Sequence, residues 1–235
     1  MLVTPSVYGA SVISRRAGPG DVLALGGNLS AGALATVGDG TWTGALIATG
    51  IIRRTGPTGD YSDTTDTAAN ILTALAGNGW AAEVVAGQSF RLLVQNTVAY
   101  VATLVAGTGV TLGTGTTTIA ASLVREYILS VLNASPPLTL NCNTTNSSAT
   151  VTFNLPTGMV ALPIGPSPLA DNVTTGMIVS GTGITAGTTV IGVTQGVGGI
   201  TGVTLSANAT ATSSGGVSLT FGPNIRIDSL RSSTL

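Results

Sequence analysis

Three aspartates at three-residue spacing, Asp60, Asp63 and Asp66 in Gly-Asp-Tyr-Ser-Asp-Thr-Thr-Asp, form the closest group of acids in the chain. Paired carboxylates can serve as acid, base or nucleophile in glycoside cleavage, and a carboxylate cluster can hold calcium. The spacing lacks the alternate-residue ligand pattern of an EF-hand loop. It falls just before a helix-forming run, where Asp is favoured as a cap and beside the positive end of the dipole. Capping is therefore the leading reading, ahead of a calcium site and of catalysis.

The rest of the catalytic vocabulary is small. The chain has no His and no Lys, so the commonest general base and the Schiff-base amine are missing. A Ser-His-Asp triad cannot be assembled, and no Gly-x-Ser-x-Gly elbow occurs. Gly107-Thr108-Gly109-Val110-Thr111-Leu112-Gly113 and Gly181-Thr182-Gly183-Ile184-Thr185-Ala186-Gly187 match a relaxed dinucleotide fingerprint. Such a loop must open a helix to meet a pyrophosphate, whereas β-branched runs follow both. They are read as two equivalent hairpin turns. The single cysteine, Cys142 in Thr-Leu-Asn-Cys-Asn, excludes an internal disulfide and reads as a small strand residue rather than a reactive thiol. Sequons at Asn28, Asn133, Asn143, Asn146, Asn172 and Asn208 carry little weight in a chain so rich in Ser and Thr. No catalytic residue, cofactor or metal site is expected, and a small-molecule ligand is not indicated.

The elements that would position any such group are strands. Hydrophobic residues make up 43% of the 235 residues and charged residues only 7%, against about 25% in an average soluble domain. The formal net charge of −1 does not suggest a nucleic-acid surface. Eleven of the 17 charged residues lie at or before Arg91. The long uncharged stretches are broken too often by Gly, Pro, Asn and Thr to supply about 20 consecutive apolar residues for a membrane span. The N-terminal segment lacks the basic and apolar regions of a secretion signal.

β-branched residues broken by Gly-rich turns favour an all-β chain of sandwich-like or barrel-like modules. Strands are predicted at 89–95, 98–105, 125–132 and 149–153, with Asn96-Thr97 as a tight connection between the first two. One short helix is predicted around residues 65–76. Thr65 or Asp66 would cap it, Ala68, Ile71, Leu72 and Leu75 would share a face, and Gly77 would end it. The Pro-rich stretch holding Pro156, Pro163, Pro166 and Pro168 cannot be a central strand. The expected division is an N-terminal β-rich domain over 1–155, a Pro-rich linker over 156–170, a C-terminal β module over 171–223 and a polar tail over 224–235, mobile or docked on a partner. Within the C-terminal module, turns are expected at Gly198-Gly199 and Gly215-Gly216. Paired cations at Arg15, Arg16 and at Arg53, Arg54 are candidates for docking onto an acidic patch of a partner.

Several of these segments carry a resemblance. Ile51-Ile52-Arg53-Arg54-Thr55-Gly56-Pro57 followed by Asp63-Thr64-Thr65-Asp66-Thr67-Ala68 resembles a strand end and helix start recurrent in structural proteins of tailed-bacteriophage particles. Phe90-Arg91-Leu92-Leu93-Val94-Gln95-Asn96-Thr97, then Thr103-Leu104-Val105-Ala106-Gly107-Thr108-Gly109-Val110-Thr111-Leu112, and Arg125-Glu126-Tyr127 are similar to strings of the same proteins. Gly176-Met177-Ile178-Val179 through Ala209-Thr210-Ala211-Thr212 is similar to a β module of virion and tail-associated proteins. The likeness spans roughly residues 33 to 222.

It implies no catalytic residues. It implies a capsid decoration, or cement, protein: a homotrimer on the virion exterior that contacts the major capsid protein and clamps neighbouring subunits, after passing through the host cytoplasm during assembly. The alternative within the same class is a head-fibre or tail-associated receptor-binding protein. A carbohydrate depolymerase using Asp/Glu pairs ranks last, because the chain offers few aromatics for stacking sugars.

Overall fold

The computed structural model describes residues 22–23, 30–78, 83–113, 115, 117–154, 170–196 and 199–234. Its first half runs β1 (Val22–Leu23), β2 (Ser30–Leu34), β3 (Gly40–Trp42), α1 (Gly44–Ala48), β4 (Gly50–Arg54), β5 (Tyr61–Thr65), α2 (Ala68–Gly77), β6 (Ser89–Asn96), β7 (Ala102–Val105), β8 (Val110–Leu112), β9 (Thr118–Ile119) and β10 (Leu123–Asn133). The second half holds β11 (Leu138–Thr144), β12 (Thr150–Phe153), a 3₁₀ turn at Ala170–Asn172, β13 (Ile178–Ser180), β14 (Val190–Gly196), β15 (Gly199–Leu205), β16 (Ser213–Gly222) and β17 (Asn224–Thr234). Neither helix is long and apolar enough to cross a membrane.

The first half repeats one structural unit. Each unit places a strand in a large sheet, turns a corner and places a strand in a smaller sheet, and the first two units return past a helix. The large sheet has the order β2-β4-β6-β10-β17-β8, with β1 also on β6, and the small sheet is β3-β5-β7-β9. Ala31, Ile51 and Leu93 stand side by side in parallel register in the large sheet, as do Thr41, Thr64 and Val105 in the small one. Three coils are therefore stacked: β2–β3–α1, β4–β5–α2 and β6–β7. Parallel neighbours are required here, because each coil must travel the full circuit before it returns beside its predecessor.

Alternation fixes which side chains face inward. Along β6 the buried residues are Phe90, Leu92, Val94 and Asn96, with half-buried Ser89, Arg91, Leu93 and Gln95 between them. Phe90 and Leu92 join Ile52, Ile71, Leu75, Leu129 and Ile227 in one core between the sheets and the helices. Trp42 meets Tyr127 edge-on, with ring centroids 5.8 Å apart.

The strand-rich fold class holds, and the helix is where the spacing places it, with Ala68, Ile71, Leu72 and Leu75 buried. Its cap is Thr67, whose hydroxyl accepts from the Asn70 N–H, rather than Thr65 or Asp66, and Asn78 closes its C-terminal end. A second helix, α1, is only five residues long and was too short to show a period; Thr43 caps it in the same way. Asn96-Thr97 does not join a hairpin, because β6 and β7 belong to different sheets. Gly107–Gly113 is likewise a crossing from the small sheet to β8 in the large one. Gly181–Gly187 does bend the chain back on itself, through the antiparallel bridge Ile178↔Thr189. Gly215-Gly216 lies within β16, close to the irregularity in its pairing with β11. Gly198 lies outside the described residues, whereas Gly199 opens β15.

The strand pairing also redraws the modules. β11 and β12 pair with the later strands in a six-stranded sheet, β13-β16-β11-β12-β15-β14, around a separate core of Leu140, Cys142, Val151, Met177, Val203, Leu219 and Phe221. The second module thus spans β11 to β16, and the Pro-rich stretch falls inside it rather than at its border. Residues 155–169 of that stretch lie outside the described residues. The predicted tail is a strand: β17 pairs antiparallel with β10 along nearly its whole length and buries Ile225 and Ile227 in the first core. The second module is accordingly an excursion between β10 and β17.

Two asparagines guard its neck. Asn133 ends β10 directly opposite Asn224, which begins β17. The Asn133 amide donates to the Thr174 hydroxyl at 3.0 Å and to the Thr175 carbonyl at 3.2 Å, and the Asn224 amide donates to the Gly176 carbonyl at 3.3 Å. Gly176 takes a φ of +87°, which favours glycine.

Burying an isoleucine contributes about 1.5–3 kcal/mol, so a chain ending at Pro223 forfeits a large fraction of a typical 5–15 kcal/mol stability. We expect that truncation to yield insoluble or unfolded protein by circular dichroism. Removing residues 232–235 should leave the thermal midpoint within a few degrees of the full chain.

Candidate functional site

The three clustered aspartates do not converge. Alternation along β5 turns Asp63 inward with Tyr61 and Thr65, while Asp60 and Asp66 lie beyond the strand ends. Asp63 accepts from the Arg54 guanidinium at 3.0 Å and from the Trp42 indole N–H at 3.0 Å. Asp60 accepts from the Val101 backbone N–H of the next coil at 2.9 Å. Asp66 reaches back to the Gly44 N–H of the preceding coil at 2.9 Å, and also accepts from Thr67 and Asn70. Partial burial alone would raise the Asp66 pKa, but these donors outweigh it and hold the carboxyl below its ordinary value. Asp39 repeats the Asp60 role one coil earlier, accepting from the Ser62 N–H at 2.7 Å. These acids are inter-coil fasteners. Among the described residues no three His, Cys, Asp or Glu side chains are grouped to hold a metal.

The pair Arg53, Arg54 is split by the same alternation. Arg54 is 1% exposed. Its guanidinium donates to the carbonyls of Leu34 at 3.1 Å and Thr36 at 2.7 Å, and to that of Gly38, while pairing with Asp63 and lying 4.6 Å from the Tyr61 ring centroid. It cannot dock a partner from there. Arg53 points outward. Arg15 and Arg16 lie outside the described residues. The Tyr61 hydroxyl, its pKa raised by burial, donates to Asn96, whose amide is shared among the carbonyls of Tyr100, Ile119 and Ala120.

The Gly107 loop opens a strand rather than a helix. Its Gly107 N–H donates to the Thr65 hydroxyl, the Thr108 carbonyl accepts from Ala68 at the start of α2, and a strand follows. A Cβ on Gly107 would stand 2.3 Å from the Thr65 carbonyl, so glycine is needed for this close approach. Cys142 is fully buried, and burial pushes its thiol up to about 12.

What remains open is the outer face of the large sheet. Registered neighbours form rows across it: Arg53–Gln95–Val124, Ile51–Leu93–Glu126–Arg231, Arg91–Ile128–Asp228 and Ser89–Ser130–Arg226. Glu126 is held between Arg91 and Arg231, its carboxylate 2.5 Å from the Arg231 Nε, and Arg226 pairs with Asp228 at 2.9 Å. A depression of about 400 Å³ is lined by Arg91, Glu126, Ile128, Leu230 and Arg231. Leu230 sits at a register irregularity of β17, without a partner on β10, and is 53% exposed; Leu132 is 47% exposed. Arg91, Glu126, Arg226, Asp228 and Arg231 were not singled out from sequence. The signal was available in the alternation of β6 and β10, but placing β17 beside β10 requires the fold.

Two outcomes test this assignment of roles. Arg54→Ala should cost about 3–5 kcal/mol in urea unfolding, because Asp63 is left buried without its cation, whereas Arg53→Ala should stay within about 0.5 kcal/mol. Equal effects would refute the division of the pair. Cys142 in native protein should resist a thiol reagent at pH 8 and react promptly once the chain is unfolded.

No protein-family model, curated protein or solved structure matches this chain.

Proposed function

We propose that the chain is a non-enzymatic structural protein of a tailed-phage particle, and that it serves as a decoration protein binding the outside of the capsid. The observation that carries the reading is the outer face of the large sheet. Leu93, Val124, Ile128 and Leu230 are interleaved there with arginines, and Arg among apolar side chains is characteristic of protein interfaces. A stable assembly commonly buries roughly 2,000 Å² or more, and a rigid sheet face meets a partner at little conformational cost.

The residue chemistry supports the same reading. The acids nearest to a catalytic constellation each hold a neighbouring coil or a buried cation. The sequence resemblance points to virion proteins, and the decoration role among them implies a trimer in contact with the major capsid protein.

Quantitative mass spectrometry of purified particles tests the proposal. Hundreds of copies per particle, in proportion to the major capsid protein, are expected. A handful of copies would move the chain to a head fibre or the tail, and absence from the particle would overturn the virion reading.

A further inference from the structure

We infer that the partner surface seated on the outer face of the large sheet is an acidic polypeptide surface, with carboxylates set among apolar side chains. This rests on the reading of that face as a docking surface and adds the chemistry of what docks. Four arginines, Arg53, Arg91, Arg226 and Arg231, lie on this face against two carboxylates, Glu126 and Asp228. The other two arginines of the described residues, Arg54 and Arg125, are buried. A chain of net charge −1 thus presents a locally cationic face, and its matching partner carries the opposite sign.

The geometry favours carboxylates in particular. Arg91 and Arg231 already grip the two oxygens of Glu126 from opposite sides, which holds their planar forks in place at the rim of the depression. Arg231 remains 75% exposed and Arg226 43%, so each keeps donors for a second acceptor. A nucleic-acid backbone fits poorly. No aromatic ring interrupts the rows for base stacking, and Leu93, Ile128 and Leu230 would find no apolar surface to cover.

The test uses the full chain and particles assembled without it, with binding measured by co-sedimentation between about 0.05 and about 0.5 M NaCl. Over that range the screening length falls from roughly 14 to roughly 4 Å. Affinity should fall with salt, and Arg53→Glu should weaken binding about tenfold at low salt; circular dichroism confirms that the variant folds. Leu230→Asp should weaken it as well. Salt-independent binding, insensitive to Arg53→Glu yet lost in Leu230→Asp, would overturn the acidic partner and leave the docking face standing. Binding unchanged by either variant would remove the face as the interface. No binding at all would overturn the decoration reading itself. Equal affinity for a DNA duplex at low salt would replace the acidic polypeptide with a nucleic acid.

Discussion

The first module depends on one buried cation. Taking a guanidinium out of water costs several kcal/mol, and a single carboxylate repays that only when the remaining donors are also satisfied. Arg54 meets the condition with three carbonyls of the first coil's corner, the Asp63 carboxylate and the Tyr61 ring. Leu34 ends β2, and Thr36 and Gly38 lie in the corner between β2 and β3, so Arg54 and the corner solve each other's desolvation problem. The same residue offers its own carbonyl to the Thr97 N–H and hydroxyl of the third coil. One side chain and its backbone therefore tie three coils in line. Lysine would not substitute, since a point charge lacks the fork that reaches carboxylate and carbonyls together.

Around that centre the coils repeat a small set of fastenings. Asp39 and Asp60 each accept a backbone N–H from the next coil, and Thr43 and Thr67 each cap a helix on the same flank. The helices pack so closely that a Cβ on Gly44 would stand 2.6 Å from the Asn70 carbonyl. The third coil has no helix, and the Gly107 loop takes its place against Thr65 and Ala68. From there the parallel stack gives way to antiparallel pairing through β10 and β17. The last strand of the chain is consequently a structural member of the first module, and the second module hangs from a neck made by Asn133 and Asn224.

Strand content was legible from β-branched composition, and the α2 helix from its apolar face, while its cap and its closing residue lie one or two positions beyond those the sequence indicates. These are local signals. The stacking of coils was not, although Gly-Thr-Trp-Thr-Gly and Asp-Thr-Thr-Asp-Thr occupy equivalent positions, because corners of differing length and a helix-free third coil blur the period. Prolines 156–168 drew the boundary to themselves, yet proline excludes a strand without marking a domain edge. The charges and serines of the tail are those of a solvated segment; only Ile225 and Ile227, at strand spacing, betray a buried face. The Arg53, Arg54 pair shows the same limit within two residues. Adjacent side chains in a strand point to opposite sides, so a doublet that looks like one basic patch is one core residue and one surface residue.

That separation explains how a protein so poor in charge can still present a defined electrostatic face. The acids Asp39, Asp60 and Asp66 are engaged by backbone donors at the corners and at the helix start, and Asp63 is neutralised inside. Among the described residues, the sheet exterior is left as the place where guanidiniums outnumber carboxylates. Glu126 does not cancel this face. By gripping Arg91 and Arg231 it limits their rotamer freedom, which would lower the entropic cost to the partner proposed for this face. Glu126 thus stabilises β17 against β10 and pre-orients the cations beside Leu230. The interaction that completes the fold at its last strand is also the one that shapes the depression on the outer face of the large sheet.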